Sequence, residues 1–443
     1  MSDRPSVAPP KAWSFPSPSR TKMPNGLDVL AYPMPGQHVV SVGLSLDLPV
    51  TEEPRAKEGA VAILARCLDE GTSKHPGGEF AEALENLGAV FGAHAGSSAT
   101  TCYVDVPASR LEPALSLFAE AIIDPALERA DVHRHRGLRL AEIAQHRAHP
   151  GQRVGMEFRN AVIAADDRTS RSTAGEADTV ANIDADDVAT LHRLWYQPGG
   201  CLLVLAGDFA TDPMAAAAAA FNAWSPSELR TPAHHQTLPG RPTVVLVDRP
   251  GSVQADVRLG GFGIDRTDPR WAAFQVAGHA MGGGFLSRLN RLLREERGYT
   301  YGVRFAAHPY RSGGMFAVQG SFRGDSALPA IVEARDLLAG EPFTPAEVGE
   351  AIDFLVGVTP LRFALASGVM EQVLALRAVG MGPERVDAHL AAVRAVTPEA
   401  ATEAFAGIVR PEDLSLAIVG DAETLAEPLR AEGFDVQVKA LAD

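Results

Sequence analysis

The chain predicts an α+β fold of two homologous domains, each a mainly antiparallel sheet with packed helices. Three observations carry that expectation. The same landmarks recur in the same order in both halves, which marks an internal duplication rather than a short solenoid repeat. Each half mixes short alternating strands with longer amphipathic stretches such as Glu79 to Leu87 and Pro398 to Phe405. A polar, proline-rich segment lies between the halves.

In chain order, residues 1–24 are rich in Pro and Ser and lack the basic and apolar regions of a signal peptide, so a flexible tail is expected. A strand candidate, Val40 to Leu48, precedes an Ala-rich helix, Gly59 to Asp69; the counterparts are Ala255 to Gly263 and Arg270 to Met281. Ala114 to Ile123 matches Ala327 to Asp336, each ahead of a turn containing proline. Apolar runs ending in Gly-Asp close the pattern, Cys201 to Asp208 and Leu414 to Asp421. The first domain is therefore placed at 25–224, a linker at 225–242 and the second domain at 243–443.

Composition narrows the function classes. With 443 residues, each domain can bury its own core without a metal or disulfide staple. Cys67, Cys102 and Cys201 are odd in number and far apart, which fits reduced packing thiols in a cytoplasm. A formal net charge of -15 repels a phosphate backbone, so no nucleic-acid partner is expected, although the same acidity also serves solubility. No apolar run approaches the roughly 18 to 20 residues that span a bilayer, so a soluble protein is expected. Neither a Gly-x-Ser-x-Gly elbow nor a Cys-x-x-Cys pair is present, which leaves serine-hydrolase and thiol-redox chemistry unsupported.

One segment holds candidate chemistry. Phe285, Leu286, Leu289, Leu292 and Leu293 predict one apolar helical face, with Arg288, Arg291, Arg294 and Glu295 opposite. Gly298 predicts a C-cap stop, and Tyr299, Tyr301, Val303 and Phe305 then alternate as a strand. Arg294 and Tyr301 would converge beside that turn. A guanidinium fork and a phenol are both donors, able to hold a peptide carbonyl and the oxyanion that develops on it. On the bland alternative, Arg294 complements the helix dipole and Tyr301 packs.

The opening Asn25-Gly-Leu-Asp-Val29, the helix from Gly59 ending in Glu70-Gly-Thr72, the segment Leu292 to Gly302 and the two Gly-Asp strand ends resemble the pitrilysin/insulinase family of zinc peptidases, over nearly the whole chain from Asn25. The resemblance implies a clamshell half and a zinc site on the Gly59 to Asp69 helix. There Ala62, Ala65 and Arg66 stand where the family has histidine, glutamate and histidine, so no metal is expected in this chain. The region around Val132 to Arg136, expected to supply the last ligand, carries histidines in place of a glutamate, and Gly92 replaces a common asparagine. The family's arginine and tyrosine, implicated in gripping substrate near the zinc, map onto Arg294 and Tyr301 with their spacing intact. The resemblance thus implies the zinc-free subunit of a heterodimer: a homologous partner holds the zinc, and the substrate is a peptide. An inert peptide-binding or scaffold subunit is the alternative.

Other histidines are weaker candidates as metal ligands. Glu142, His146 and His149 have helical spacing, and His133 and His135 would share a face only on a strand. His234 and His235, in the linker, are expected in solvent. Gly278 to Gly284 reads as a tight helix-to-helix connection, since it lacks the lysine and hydroxyl of a phosphate loop.

Overall fold

In the computed structural model, residues 12–225, 231–233 and 235–441 are described. Each half contributes one six-stranded sheet. The first contains β1 (Ser19–Lys22), β2 (Asp28–Pro33), β3 (Val39–Leu46), β4 (Val90–Ala95), β5 (Thr100–Pro107) and β6 (Leu202–Gly207), ordered β1-β2-β6-β3-β5-β4. The second contains β7 (Val244–Asp248), β8 (Gln254–Gly263), β9 (Val303–Pro309), β10 (Gly314–Arg323), β11 (Ser415–Gly420) and β12 (Val436–Lys439), ordered β12-β7-β11-β8-β10-β9. The pairs β2–β6, β7–β11 and β7–β12 are parallel and the others antiparallel. The order β2-β6-β3-β5-β4 repeats as β7-β11-β8-β10-β9, so the duplicated landmarks occupy equivalent places.

The halves interlock through exchanged helices. Pro150–Val162, from the first half, buries Val154, Phe158 and Val162 against Val245, Val247, Ala417 and Val419 of the second sheet. Reciprocally, Ala366–Ala378 buries Val369, Met370 and Val373 against Leu30, Tyr32, Leu202, Val204 and Ala206 of the first. Gly43 permits this contact, since a Cβ there would stand 2.3 Å from Met370 Sδ. Helices of each half cover the opposite faces, so β6 and β11 are buried on both sides, which is why they read as unbroken apolar runs rather than alternating ones.

Two expectations need correction. The segment read as a flexible tail is part of the fold from residue 12 onward; residues 1–11 lie outside the described residues. Trp13 stacks on Phe363 with centroids 5.7 Å apart, Phe15 is buried, and β1 pairs with β2. Two aromatic anchors outweigh the loop-like composition around them. In the linker, residues 226–230 and His234 lie outside the described residues, while His235, expected in solvent, bonds through Nε2 to Asp167 Oδ1 at 2.8 Å. His133 and His135 lie on the helix Arg129–Ala148, where residues two apart do not share a face.

Cys67, Cys102 and Cys201 are free and buried, and burial pushes the Cys67 and Cys201 thiols up to about 12. Among the described residues no single helix is long and apolar enough to cross a membrane.

Candidate functional site

The helix Ala60–Cys67 starts from a rigid base. Glu53 Oε1 accepts from the amides of Gly59 and Val61 at 3.0 and 2.8 Å, satisfying donors that a helix start leaves open. Glu53 is in turn held by Arg168 Nη2 at 2.9 Å. Gly59 has φ 104° and a Cβ there would lie 2.8 Å from the Ala174 carbonyl, so glycine is required on both counts. Ala65 is buried and Ala62 half-buried, while Arg66, one turn on from Ala62, reaches out toward the helix Arg129–Ala148.

Arg66 meets Glu142 as a bidentate pair, Nη1 to Oε1 at 2.8 Å and Nη2 to Oε2 at 2.9 Å. Arg139, itself buried, adds Nη1 to Oε2 at 3.4 Å. The Arg66 hydrogen bond holds the Glu142 carboxyl below its ordinary range, against the opposing cost of partial burial. These residues do not fit a zinc ion. Alanine brings no donor atom, and a guanidinium presents only N–H groups and a positive charge to the carboxylate a metal would need.

The carboxylate that meets Arg66 is thus Glu142, not a residue of the 132–136 region. That region faces the far end of the helix, where His135 Nε2 bonds Glu70 Oε1 at 2.7 Å. Glu142, His146 and His149 do not gather either: Glu142 is committed to Arg66, and among the described residues no three His, Cys, Asp or Glu side chains converge as a metal site. Gly92 lies on β4, where a Cβ would sit 2.4 Å from the Tyr103 ring, so its local role is to make room for that ring.

In the second half, the helix Trp271–Gly278 runs on into a wider turn, His279–Gly283, packed on β9. A Cβ on Gly282 would approach the Phe305 amide nitrogen to 2.5 Å. Residues 284–287 then leave helical geometry, and Asn290–Glu296 forms a π-type helix, a form frequent at functional sites. Leu289 and Leu293 are buried as expected. Phe285 and Leu286 are not: they are 64% and 71% exposed, because the chain turns before the helix begins.

Gly298 ends the helix with φ 65°, its amide donating to Arg294 O at 3.2 Å while Tyr299 N reaches Leu293 O at 2.9 Å. The expected strand begins two residues after Tyr301, at Val303, whose amide donates to Asn290 Oδ1 at 3.2 Å. Thr300 Oγ1 donates to Ser321 O at 2.8 Å and fixes the intervening turn. Tyr301 therefore projects from a turn, not from a strand face, and is 98% exposed. Arg294 stacks over the Phe285 ring, its Cζ 4.1 Å from the centroid, with Glu295 at 3.4 Å. Both residues flank one helix-to-strand turn, and among the described residues no hydrogen bond joins them.

Beside this turn is an open hollow of about 590 Å³, lined by Phe285, Asn290, Asp256, Arg258 and Arg304 among others. Burial raises the Asp256 carboxyl and lowers Arg258. A second hollow of about 450 Å³, lined by Arg139, His146 and His149, lies in the first half. A Cβ on Gly151 would stand 3.7 Å from His149 Nδ1 and 3.9 Å from Asp256 Oδ1, so the two hollows adjoin where the exchanged helix begins. Sequence reading missed Asp256, Arg258 and Arg304; their signal is the charged side chains at the less buried positions of β8 and β9.

Comparison with known proteins agrees with this architecture. Residues 29–177 match the family model for insulinase (peptidase family M16), and residues 182–355 match that for the peptidase M16 inactive domain. An uncharacterized zinc protease of Streptomyces coelicolor is 28% identical over 412 residues, 90% of this chain and 89% of that one. One from Mycobacterium bovis is 26% identical over 367 residues, 81% and 83% of the two chains. A crystal structure of a peptidase M16 inactive domain from Pseudomonas fluorescens superposes with a TM-score of 0.84 at 22% identity, over 91% of this chain and 98% of that one. A protease from Helicobacter pylori gives 0.82 at 16% identity, over 92% and 100%. With two adjoining models of one family matched along most of its length and the fold shared throughout, the chain belongs to the insulinase family, peptidase family M16.

Proposed function

We propose that this chain is the zinc-free subunit of a two-chain zinc peptidase, inactive alone, that lends Arg294 and Tyr301 to a homologous partner across a closed chamber. The observation that carries the reading is the bareness of Tyr301. Its backbone is pinned on both sides, at Thr300 and at Val303, yet 98% of the residue is open and none of the described residues covers it. Phe285 and Leu286 extend the same uncovered surface, which suits a face awaiting a substrate or a partner. The arginine at this place would hold a substrate carbonyl with its fork, and the phenol would donate to the oxyanion that develops on it. Metal, activated water and general base are assigned to the partner. Buried thiols favour a reducing compartment such as the cytoplasm.

The test is peptide hydrolysis by this chain, by a zinc-motif homologue that co-purifies with it, and by the mixture. Only the mixture should turn over substrate. Arg294→Ala and Tyr301→Phe should each lower its kcat by roughly 10²-fold to 10³-fold, the cost measured for single oxyanion donors elsewhere. Tyr301→Phe should leave the stability of this chain unchanged within about 0.5 kcal/mol, since the side chain is exposed. Hydrolysis by this chain alone sinks the proposal. Full activity of a mixture carrying both substitutions would leave the scaffold alternative.

A further inference from the structure

We infer that the second half carries a separate binding pocket for a small organic oxyanion, a carboxylate or phosphate monoester on a compact apolar body, held by Arg266, Arg362 and Arg385. The pocket lies where the helices Trp271–Gly278, Pro345–Arg362, Ala366–Ala378 and Arg385–Arg394 meet. Its volume is about 170 Å³. An engineered apolar cavity of about 150 Å³ takes benzene, so this one accommodates one ring or a branched side chain.

Its lining is chemically divided. Trp271, Leu376 and Leu390 are buried and give an apolar floor. The three guanidinium groups give a cationic wall with the His389 ring beside them, and no carboxylate lines the pocket although the chain as a whole carries a net charge of -15. Among the described residues none of the three arginines forms an ion pair. The single bond recorded among them runs from Arg385 Nη2 to the backbone carbonyl of Arg266 at 2.9 Å.

The acids nearest in sequence are engaged elsewhere: Asp265 accepts from the amides of Thr267 and Gly313 at 2.7 and 2.9 Å, Asp268 pairs with Arg270 at 2.7 Å, Asp387 Oδ1 accepts from the Phe15 amide at 2.9 Å, and Glu384 acts on Tyr32. Burial, with no compensating anion, lowers Arg266. Burial and the charges of Arg385 and Arg266 press His389 down to about 4, so its ring is neutral near pH 7. Like charges gathered in a half-buried hollow without a counter-ion repel one another, and a bound oxyanion relieves that repulsion while accepting bidentate bonds. The site involves neither Arg294 nor Tyr301, and its failure would leave the proposed pairing with a zinc-bearing chain untouched.

The experiment is isothermal titration of the full chain with benzoate and with phenyl phosphate. Inorganic phosphate and benzyl alcohol, which carry only one half of the ligand chemistry each, serve as controls. One equivalent of at least one organic anion should bind saturably, and the better of the two identifies the headgroup. Arg385→Gln and Arg362→Gln should each weaken it by about 10-fold or more, the loss expected for one charge-assisted hydrogen bond. Arg362 is exposed and its side chain makes no hydrogen bond among the described residues, so its replacement tests the site without threatening the fold. The inference is overturned if neither anion saturates, if benzyl alcohol or bare phosphate binds as tightly, or if the folded Arg362→Gln chain binds unchanged.

Discussion

Replacing Arg66 by methionine removes the cation that pairs with Glu142 while keeping most of the side chain's length. The pair with Glu142 has two bonds, at 2.8 and 2.9 Å, with side chains 36% and 35% exposed. Exposed pairs contribute about 0.2–1 kcal/mol, and truncating one partner of a buried pair costs about 3–5 kcal/mol. A pair one-third exposed falls between them. Because Arg139 remains 3.4 Å from the same carboxylate, the lower part of that range applies, about 1–2 kcal/mol. At roughly 2–4 °C per kcal/mol for a domain of this size, Arg66→Met should lower Tm by about 2–8 °C at neutral pH.

The pH dependence has a definite sign. Glu142 has its folded value depressed, chiefly by the Arg66 hydrogen bond, so the pair's stabilisation is present above the unfolded carboxylate value and is lost as pH falls through the folded one. Thermal melts of wild type and variant should therefore converge as the solution is acidified. A variant melting with wild type at neutral pH, or a gap that persists at low pH, would refute the electrostatic reading.

Three further outcomes follow from local geometry. Glu347 is held down to about 2 from 4.5, first by the Arg288 hydrogen bond; Glu347→Gln should cost roughly 1–2 kcal/mol at neutral pH after solvent screening. That difference should fade in urea titrations between about pH 4.5 and pH 2, because a depressed carboxyl gives stability only above its folded value. Gly282→Ala would drive a Cβ to 2.5 Å from the Phe305 amide and should destabilise by roughly 1–3 kcal/mol, read as a lower urea midpoint with an unchanged slope. Ala62→His with Arg66→His puts two imidazoles one helical turn apart and releases Glu142 from its bidentate partner, leaving only the longer Arg139 contact; elemental analysis should find zinc in this variant and none in wild type. Zinc retained by wild type would contradict the account of Arg66.

Much of the fold was legible because it repeats. The runs Cys201 to Asp208 and Leu414 to Asp421 became β6 and β11, and Gly298 stopped its helix with a positive φ, since these features depend on local chain geometry and on burial that any register would demand. Residues 12–22 were misread because Trp13 and Phe15 obtain their partners from Phe363, about 350 residues away, which no local window contains. Phe285 and Leu286 fit an apolar stripe by spacing, yet the helix starts after them, and the resulting exposure marks the very surface assigned to function.

From the sequence alone came the duplication, the two-sheet class and the spacing of Arg294 and Tyr301, all of which are patterns along one chain; the reading of Ala62, Ala65 and Arg66 as an emptied zinc motif came only through the family resemblance. Only tertiary structure decided that Glu142 is the carboxylate facing Arg66, that each half covers the other's sheet with one exchanged helix, and that three arginines from different elements surround one hollow. The physical reason is common to all three: each is a contact between segments far apart in the chain, selected by packing and charge rather than by any propensity of the residues themselves.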